Sequence, residues 1–310
     1  MIFDLNIEPM LIKSESQPFD KPDWIYELKL DGIRAVVYTD GKELQIKNKR
    51  MLRLDLIFPE LQYIPKQVQK PCILDGEVFV AVNGKPDFAK VQARALMSNH
   101  MKIELAARKF PASFVAYDVL YYDKASTMEL PLMERKAILQ KVAAEDERFA
   151  ISRFVEGKGV ELFHLTVAQG LEGVVAKQKD SLYFPGTRTD KWKKFKNLKD
   201  DDFIIHGYLY KDGGRIALIL AQYDDKHRLV YKGHVTGIGK ETFSRISKVP
   251  ESKCLFQDEI PDSNQDAHWI EPVLVCKVAY MELMKSGCMR QPVFRGIRED
   301  KTAEECRINR

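Results

Sequence analysis

The chain has 310 residues, of which 45% are hydrophobic and 30% charged, with a net charge of +4. That length leaves room for roughly two domains at ~150 residues each, and the balance excludes a disordered or fibrous chain. No apolar run approaches the ~20 residues of a membrane span, and residues 1–8 lack the basic start and apolar stretch of a signal peptide. No membrane partner and a cytoplasmic location are therefore expected.

Cys72, Cys254, Cys276, Cys288 and Cys306 are scattered and never spaced C-x-x-C, and the six histidines form no H-x-x-x-H pair. Buried, inert thiols are expected rather than a disulfide framework or a zinc site.

Taken in chain order, the first informative string is Tyr26-Glu27-Leu28-Lys29-Leu30-Asp31-Gly32-Ile33-Arg34, a lysine between an apolar strand signal and an Asp-Gly turn. An amine that attacks the α-phosphate of a nucleotide must sit beside a binding pocket and be partly deprotonated. A lysine, with an ordinary pKa of ~10.4, needs neighbouring cations or desolvation for that. Residues 35–39 and 43–46, around Asp40-Gly41, predict a β-hairpin with a tight turn. Residues 73–80 predict an apolar strand interrupted by Asp75 and Glu77, and residues 114–121 another. Residues 132–144 carry helical apolar spacing after Pro131, which suits a first-turn position. Residues 160–169 also predict a helix, stopped by Gly170.

Lys191-Trp192-Lys193-Lys194-Phe195-Lys196-Asn197-Leu198-Lys199 places five lysines in nine residues, interleaved with two aromatics. The pattern predicts a strand with one apolar face and one cationic face able to meet phosphate. Lys199-Asp200-Asp201-Asp202 is a polar run after it and marks a domain boundary, giving domains 1–199 and 200–310. Beyond it, short strands at 203–210, 216–223 and 229–235 predict a small all-β barrel or sandwich. Gly233-His234-Val235-Thr236-Gly237-Ile238-Gly239 lacks the G-K-[ST] ending of a phosphate loop and no helix pattern clearly follows, so a barrel turn is expected.

Glu77, and Glu172 in Glu172-Gly173-Val174-Val175-Ala176-Lys177, are carboxylates on strand-like segments. Such a group is costly unless it is paired or bound to metal. The bland reading is a salt-bridged strand end; the chemical one is a pair of hard oxygen ligands for Mg²⁺, which shares phosphate oxygens and keeps waters. Lys177, Lys194 and Lys196 alternate with apolar residues, and period two puts Lys194 and Lys196 on one face. Against a solvated basic strand stands a cationic site that stabilises charge developing on an α-phosphate and disfavours a proton on Lys29.

In this order the strings resemble the nucleotidyltransferase superfamily that contains ATP-dependent DNA ligases and mRNA capping enzymes. Lys29-x-Asp31-Gly32-x-Arg34 matches its first motif, Asp75-Gly76-Glu77 the third, and Tyr117-Asp118 the aromatic-plus-acid string that follows. Glu172-Gly173-Val174-Val175-x-Lys177 matches the fourth, Lys194-x-Lys196 the fifth, and Arg298-Glu299-Asp300-Lys301 the sixth. Glu27, two residues before the lysine, is placed as in DNA ligases. Phe58-Pro59-Glu60-Leu61 and Pro292-Val293-Phe294-Arg295-Gly296-Ile297-Arg298 are similar to the ligase domain of bacterial ATP-dependent ligases, end-joining ones included.

The resemblance implies an α+β fold, with an adenylation domain of antiparallel sheets and helices followed by a C-terminal OB-fold β-barrel. It implies an ATP-dependent DNA ligase that seals nicks in duplex DNA through a lysyl-adenylate, in DNA repair, as a monomer, with Mg²⁺ or Mn²⁺. Lys29 would be the nucleophile. Lys194 and Lys196 would assist it, and Arg298, Asp300 and Lys301 would orient the pyrophosphate leaving group. Tyr117 would stack on adenine with Glu27 at its edge, and Leu28 and Lys177 would complete the nucleotide pocket. Arg34 and Glu77 would hold ribose and nick-side contacts, and Glu77 and Glu172 the metal. Where the family has Ser-Arg-Asn, this chain has Asn48-Lys49-Arg50. The cationic role there falls to Arg50, whose guanidinium suits bidentate contacts, or to Lys49, which alignment to Phe58-Pro59 favours.

Overall fold

The computed structural model describes residues 2–142 and 144–308. The chain divides into two units, Met1–Asn197 and Leu198–Arg310. In the first, the elements are β1 (Leu11–Glu15), β2 (Trp24–Leu28), β3 (Ile33–Thr39), β4 (Leu44–Asn48), α1 (Ile64–Gln67), β5 (Cys72–Val82) and β6 (Lys85–Pro86). Then come α2 (Phe88–Ala95), α3 (His100–Lys109), β7 (Ala112–Tyr122), β8 (Ala125–Ser126), α4 (Leu132–Val142) and β9 (Phe149–Ile151). β10 (Phe154–Glu156), α5 (Gly159–Ala168), β11 (Gly173–Gln178) and β12 (Arg188–Lys196) complete it.

Two sheets result, one ordered β1-β12-β11-β2-β10, the other built on β4-β3-β5-β7 with β6, β8 and β9 at its margins. The expected antiparallel pairing holds through both sheets except at two edges, where β1 runs parallel to β12 and β9 parallel to β7.

Side-chain alternation explains why the sheets stack. On β3, Ala35 and Val37 face the core shared with Leu139, Phe114 and Phe149, while Val36 and Tyr38 enter a layer that also holds Ile25 and Trp192 of the other sheet. The outer face of that other sheet buries Tyr26, Val174, Ala176 and Phe195 against Leu162 and Phe163 of α5. Three apolar layers thus sandwich two sheets, and the middle layer is the one that opens into the site.

Local differences from the sequence expectation have simple causes. The β3–β4 connection spans four residues rather than a two-residue turn, because the Asp40 carboxylate accepts from the backbone N–H groups of Lys42 and Glu43, both at 2.8 Å. In the helix expected over residues 132–144, Ala143 lies outside the described residues, and the Ala144 N–H donates to the Gln67 carbonyl instead of continuing α4.

The second unit contains β13 (Lys199–Lys211), β14 (Arg215–Tyr223), β15 (Leu229–Val235), α6 (Lys240–Ile246), β16 (His268–Tyr280) and β17 (Val293–Arg298). Its antiparallel sheet runs β15-β14-β13-β16-β17, a strand order consistent with an OB-fold. Phe203 and Ile205 of β13 enter one core with Leu218, Leu220 and Val278; Ile204 enters another with Ala221, Val275 and Cys306. Both faces are covered, which is why these strands read as continuous apolar runs.

The polar run Asp200-Asp201-Asp202 belongs to β13 and pairs with β16. Two expectations are corrected here. A helix, α6, does follow Gly239 directly. Among the cysteines, Cys72, Cys276 and Cys306 are buried, but Cys288 is half-buried and Cys254 exposed.

Candidate functional site

The middle layer turns from apolar to charged at the end of β2. Glu27 pairs across to Val175, and the backbone N–H of Lys29 donates to the Gly173 carbonyl at 2.9 Å. Period two then puts Glu27, Val175, Lys177, Trp192, Lys194 and Lys196 on one side of the sheet. From the facing sheet, the same alternation turns Arg34, Asp75, Glu77 and Tyr117 toward that layer, with Arg34 registered against Glu77 and Glu77 against Val115.

Glycines make this close approach feasible. Gly173 has φ +141, and a Cβ there would sit 2.0 Å from the Phe195 carbonyl oxygen; at Gly32 it would meet the Val78 carbonyl oxygen at 2.4 Å.

The lysine does not point into solvent. Its Nζ donates to Glu172 Oε2 at 2.7 Å, with the lysine side chain a quarter exposed and the glutamate buried. Glu172 therefore anchors the amine, a position that its placement among metal ligands had not suggested. Lys196 Nζ stands 2.8 Å and Lys194 Nζ 3.7 Å from the same Glu15 oxygen, at the end of β1. Burial lowers the Lys194 pKa, and the charge of Lys196 lowers it further, with Lys29 a smaller contributor.

Glu77 makes no hydrogen bond or ion pair among the described residues. Burial pushes its carboxyl up to about 8, opposed by the charges of Lys29 and Arg34 and reinforced by Glu172 and Asp75. Arg34 is committed within the protein. Its guanidinium forks onto Asp75 at 3.0 and 2.6 Å and donates to the Met10 carbonyl at 2.6 Å. The Tyr183 hydroxyl donates to the same carboxylate at 2.8 Å and accepts from the Met10 N–H.

Glu27 is buried and faces two cations. Lys177 Nζ lies 2.6 Å from its Oε2, and Lys136 Nζ of α4 donates to Oε1. The Lys177 ammonium also lies 4.4 Å from the Tyr117 ring centre and 4.3 Å from that of Trp192. Burial brings the Lys177 amine down to about 8, against the pull of Glu27 and with Lys136 adding to the fall. Next to Tyr117, the fully buried Asp118 receives Arg135 of α4 in a fork at 2.8 and 2.9 Å. Removing one partner of a buried pair costs roughly 3–5 kcal/mol, so this contact fixes α4 on β7 firmly.

The other sequence candidates lie elsewhere. Leu28 is exposed on the opposite side of β2, where it lines an apolar cavity of about 400 Å³ with Leu162 and Leu165. Lys49 and Arg50 lie exposed in the turn after β4, whose geometry Asn48 sets by accepting from the Arg50 and Leu52 N–H groups. In the second unit, Arg298 forks onto Asp300 at 2.7 and 2.6 Å and also reaches Asp202 at 3.1 Å. Lys301 Nζ lies 2.5 Å from the other Asp202 oxygen. Arg298 holds the Asp300 carboxyl down at about 2.

Glu15, Lys136, Tyr183 and Asp202 escaped the sequence reading. For Lys136 a signal existed: Leu132, Leu139 and Val142 form a buried stripe on α4, and Arg135 and Lys136 interrupt it where apolar residues belong. Charges on a core stripe mark buried partners.

Comparison with known proteins gives a consistent picture. Residues 9–196 match the family model of the ATP dependent DNA ligase domain, and residues 211–301 that of the ATP dependent DNA ligase C terminal region. The chain is 29% identical over 311 residues to the multifunctional non-homologous end joining protein LigD of Mycolicibacterium smegmatis, covering 96% of this chain but only 39% of that protein. It is 28% identical over 289 residues to the SPbeta prophage-derived DNA ligase-like protein LigB of Bacillus subtilis, covering 93% and 97% of the two chains. A solved structure of mycobacterial DNA ligase D complexed with ATP and MES shares the fold, with a TM-score of 0.56 at 24% identity over 97% of this chain and 98% of that one.

Proposed function

Because the chain belongs to the ATP-dependent DNA ligase family, we propose that it joins 3′-hydroxyl to 5′-phosphate ends at nicks in duplex DNA, with Lys29 as the residue that carries AMP. The observation that carries this reading is the amine of Lys29 held on Glu172 beside Lys194 and Lys196. In the first step the Lys29 nitrogen attacks the α-phosphorus of ATP; the P–N bond forms, the bond to the bridging oxygen breaks, and pyrophosphate leaves. The 5′-phosphate of the nick then attacks the same phosphorus and takes AMP from the lysine. Last, the 3′-hydroxyl attacks the activated 5′-phosphate, AMP leaves, and the strand is closed.

Charge accumulates on the phosphate oxygens in each step, and Lys194 and Lys196 supply fixed positive charge on the sheet face that holds Lys29. Tyr117 offers a ring for stacking on adenine, and Glu27 and Lys177 stand next to it. Arg298, Asp300 and Lys301 would orient the departing pyrophosphate, and Glu77, registered opposite the Arg34 that forks onto Asp75, would face the ribose.

The family model describes an ATP dependent ligase domain, and a divalent metal ion would accompany the nucleotide; the residues here fit one. Glu77 is a half-buried carboxyl without a protein partner among the described residues, and Glu172 stands by Lys29. No cluster of three or more His, Cys, Asp or Glu converges among the described residues, so phosphate oxygens and water would complete the shell of Mg²⁺ or Mn²⁺. When bound, such an ion neutralises phosphate charge.

The similarity to LigD favours a role in DNA repair, although this chain spans about two-fifths of that protein's length. No helix among the described residues is long and apolar enough to cross a membrane.

The test is covalent labelling with α-labelled ATP and Mg²⁺, followed by a nick-sealing assay. Label should appear on the native protein and vanish in Lys29→Ala, and sealing should vanish with it. A labelled Lys29→Ala protein, or label from GTP but not from ATP, would overturn the reading.

A further inference from the structure

Lys136 lies on α4, a helix that contributes none of the family strings, yet its ammonium reaches the carboxylate two residues before the nucleophile. Both groups are almost fully buried, with side-chain exposures of 3% each. The two oxygens of Glu27 are divided between two elements: Oε1 goes to Lys136 of α4, and Oε2 to Lys177 of β11. A carboxylate gripped at one oxygen can rotate about its last bond. Gripped at both by separate elements, it cannot.

The helix end of this grip is itself fixed. Arg135, the preceding residue, forks onto Asp118 and donates to the carbonyls of Leu130 and Ser181. Adjacent cations on one turn of α4 therefore pin it to β7 beside Tyr117 and hold Glu27 of β2. The ring and the carboxylate belong to different sheets, and α4 sets the distance between them.

We propose that Lys136 is a positioning residue for base selection, which holds the Glu27 carboxylate so that it accepts a hydrogen bond from a 6-amino purine and repels a 6-oxo purine. This rests on the reading of Lys29 as the adenylated residue. Each Glu27 oxygen has a second lone pair left after its ammonium partner. An amino donor satisfies that lone pair, whereas a carbonyl oxygen leaves two acceptors facing each other without water. Sites that recognise a substrate by buried polar groups discriminate strongly for this reason.

Removal of Lys136 leaves Glu27 with Lys177 alone. The carboxylate then turns both oxygens onto that ammonium, away from the base edge. The loss should fall on binding and base choice, not on phosphoryl chemistry at Lys29.

The experiment is self-adenylylation kinetics of the full chain with ATP and with inosine triphosphate, the 6-oxo analogue, in the native protein, K136M and K136R. In K136M the KM for ATP should rise about tenfold or more while kcat stays within about threefold, and the ATP-to-ITP ratio of kcat/KM should fall at least about tenfold. K136R, which keeps the cation, should retain most of the native ratio. If K136M does not fold, K136Q carries the same expectation, since it keeps a donor and loses the charge. A native ATP-to-ITP ratio in K136M or K136Q overturns the proposal, as does an equal loss of kcat with both nucleotides. Absence of label in the native protein would instead sink the reading of Lys29, so the two failures are distinct.

Discussion

Single residues decide how closely the strands around Lys29 can pack. Gly173 is the sharpest case, since it combines a left-handed φ of +141 with a carbonyl oxygen 2.0 Å from where its Cβ would be. Gly173→Ala must push β12 away from β11, and β12 carries Lys194 and Lys196. We expect a stability loss of about 1–3 kcal/mol by denaturant unfolding, with self-adenylylation down at least about tenfold. A native unfolding midpoint with native labelling would show that the strand pair tolerates the extra atom. In Glu172-Gly173 the family string thus joins a chemical residue to a steric one, and the sequence displays both without saying which is which.

At the scale of elements, the second unit holds two shielded imidazoles, the buried His206 and the half-buried His234, from which a pH response is expected. His206 of β13 donates from Nδ1 to the Ile270 carbonyl at 2.9 Å and accepts the Leu255 N–H at Nε2, 3.0 Å away. Burial lowers its pKa, and burial does the same to His234 of β15. A lowered histidine pKa means that the unfolded chain takes up the proton first as pH falls below about 6.5. Stability from this source is full above that pH and is lost below it, with a slope approaching roughly 1.4 kcal/mol per pH unit for each imidazole. Denaturant unfolding between pH 7.5 and 5.5 should show this decline, and His206→Asn should flatten it. An unchanged slope would assign the pH dependence to other groups. Trp269, 5.3 Å from the His206 ring, is a convenient fluorescent reporter.

For the whole molecule, the proposed site residues are divided between units. Lys29 belongs to the first, and Arg298, Asp300 and Lys301 to the second. Within the second unit, Asp202 at the head of β13 holds both Arg298 and Lys301. If these cations serve the pyrophosphate, they act in the first step only. Lys301→Ala should then lose label from ATP by about a hundredfold or more, yet seal a nick that already carries 5′-adenylate at near-native rate. Failure in both assays would place the lysine in later chemistry or in folding.

The order of the strings, the candidate lysine and its basic strand were legible in the sequence, because nucleotide chemistry needs particular side chains at short spacings along single strands. Period two placed Lys194 and Lys196 on one face, and β12 bears them so. Tertiary structure alone decided what each charge faces. Glu172 meets Lys29, Glu15 meets Lys194 and Lys196, and Lys136 meets Glu27 across 109 positions of chain. Asp202, in a polar run near the domain boundary, lies on β13 and anchors two cations. Such pairings follow from which sheets stack and which helix packs on them, and that is a property of the assembled core rather than of any local window.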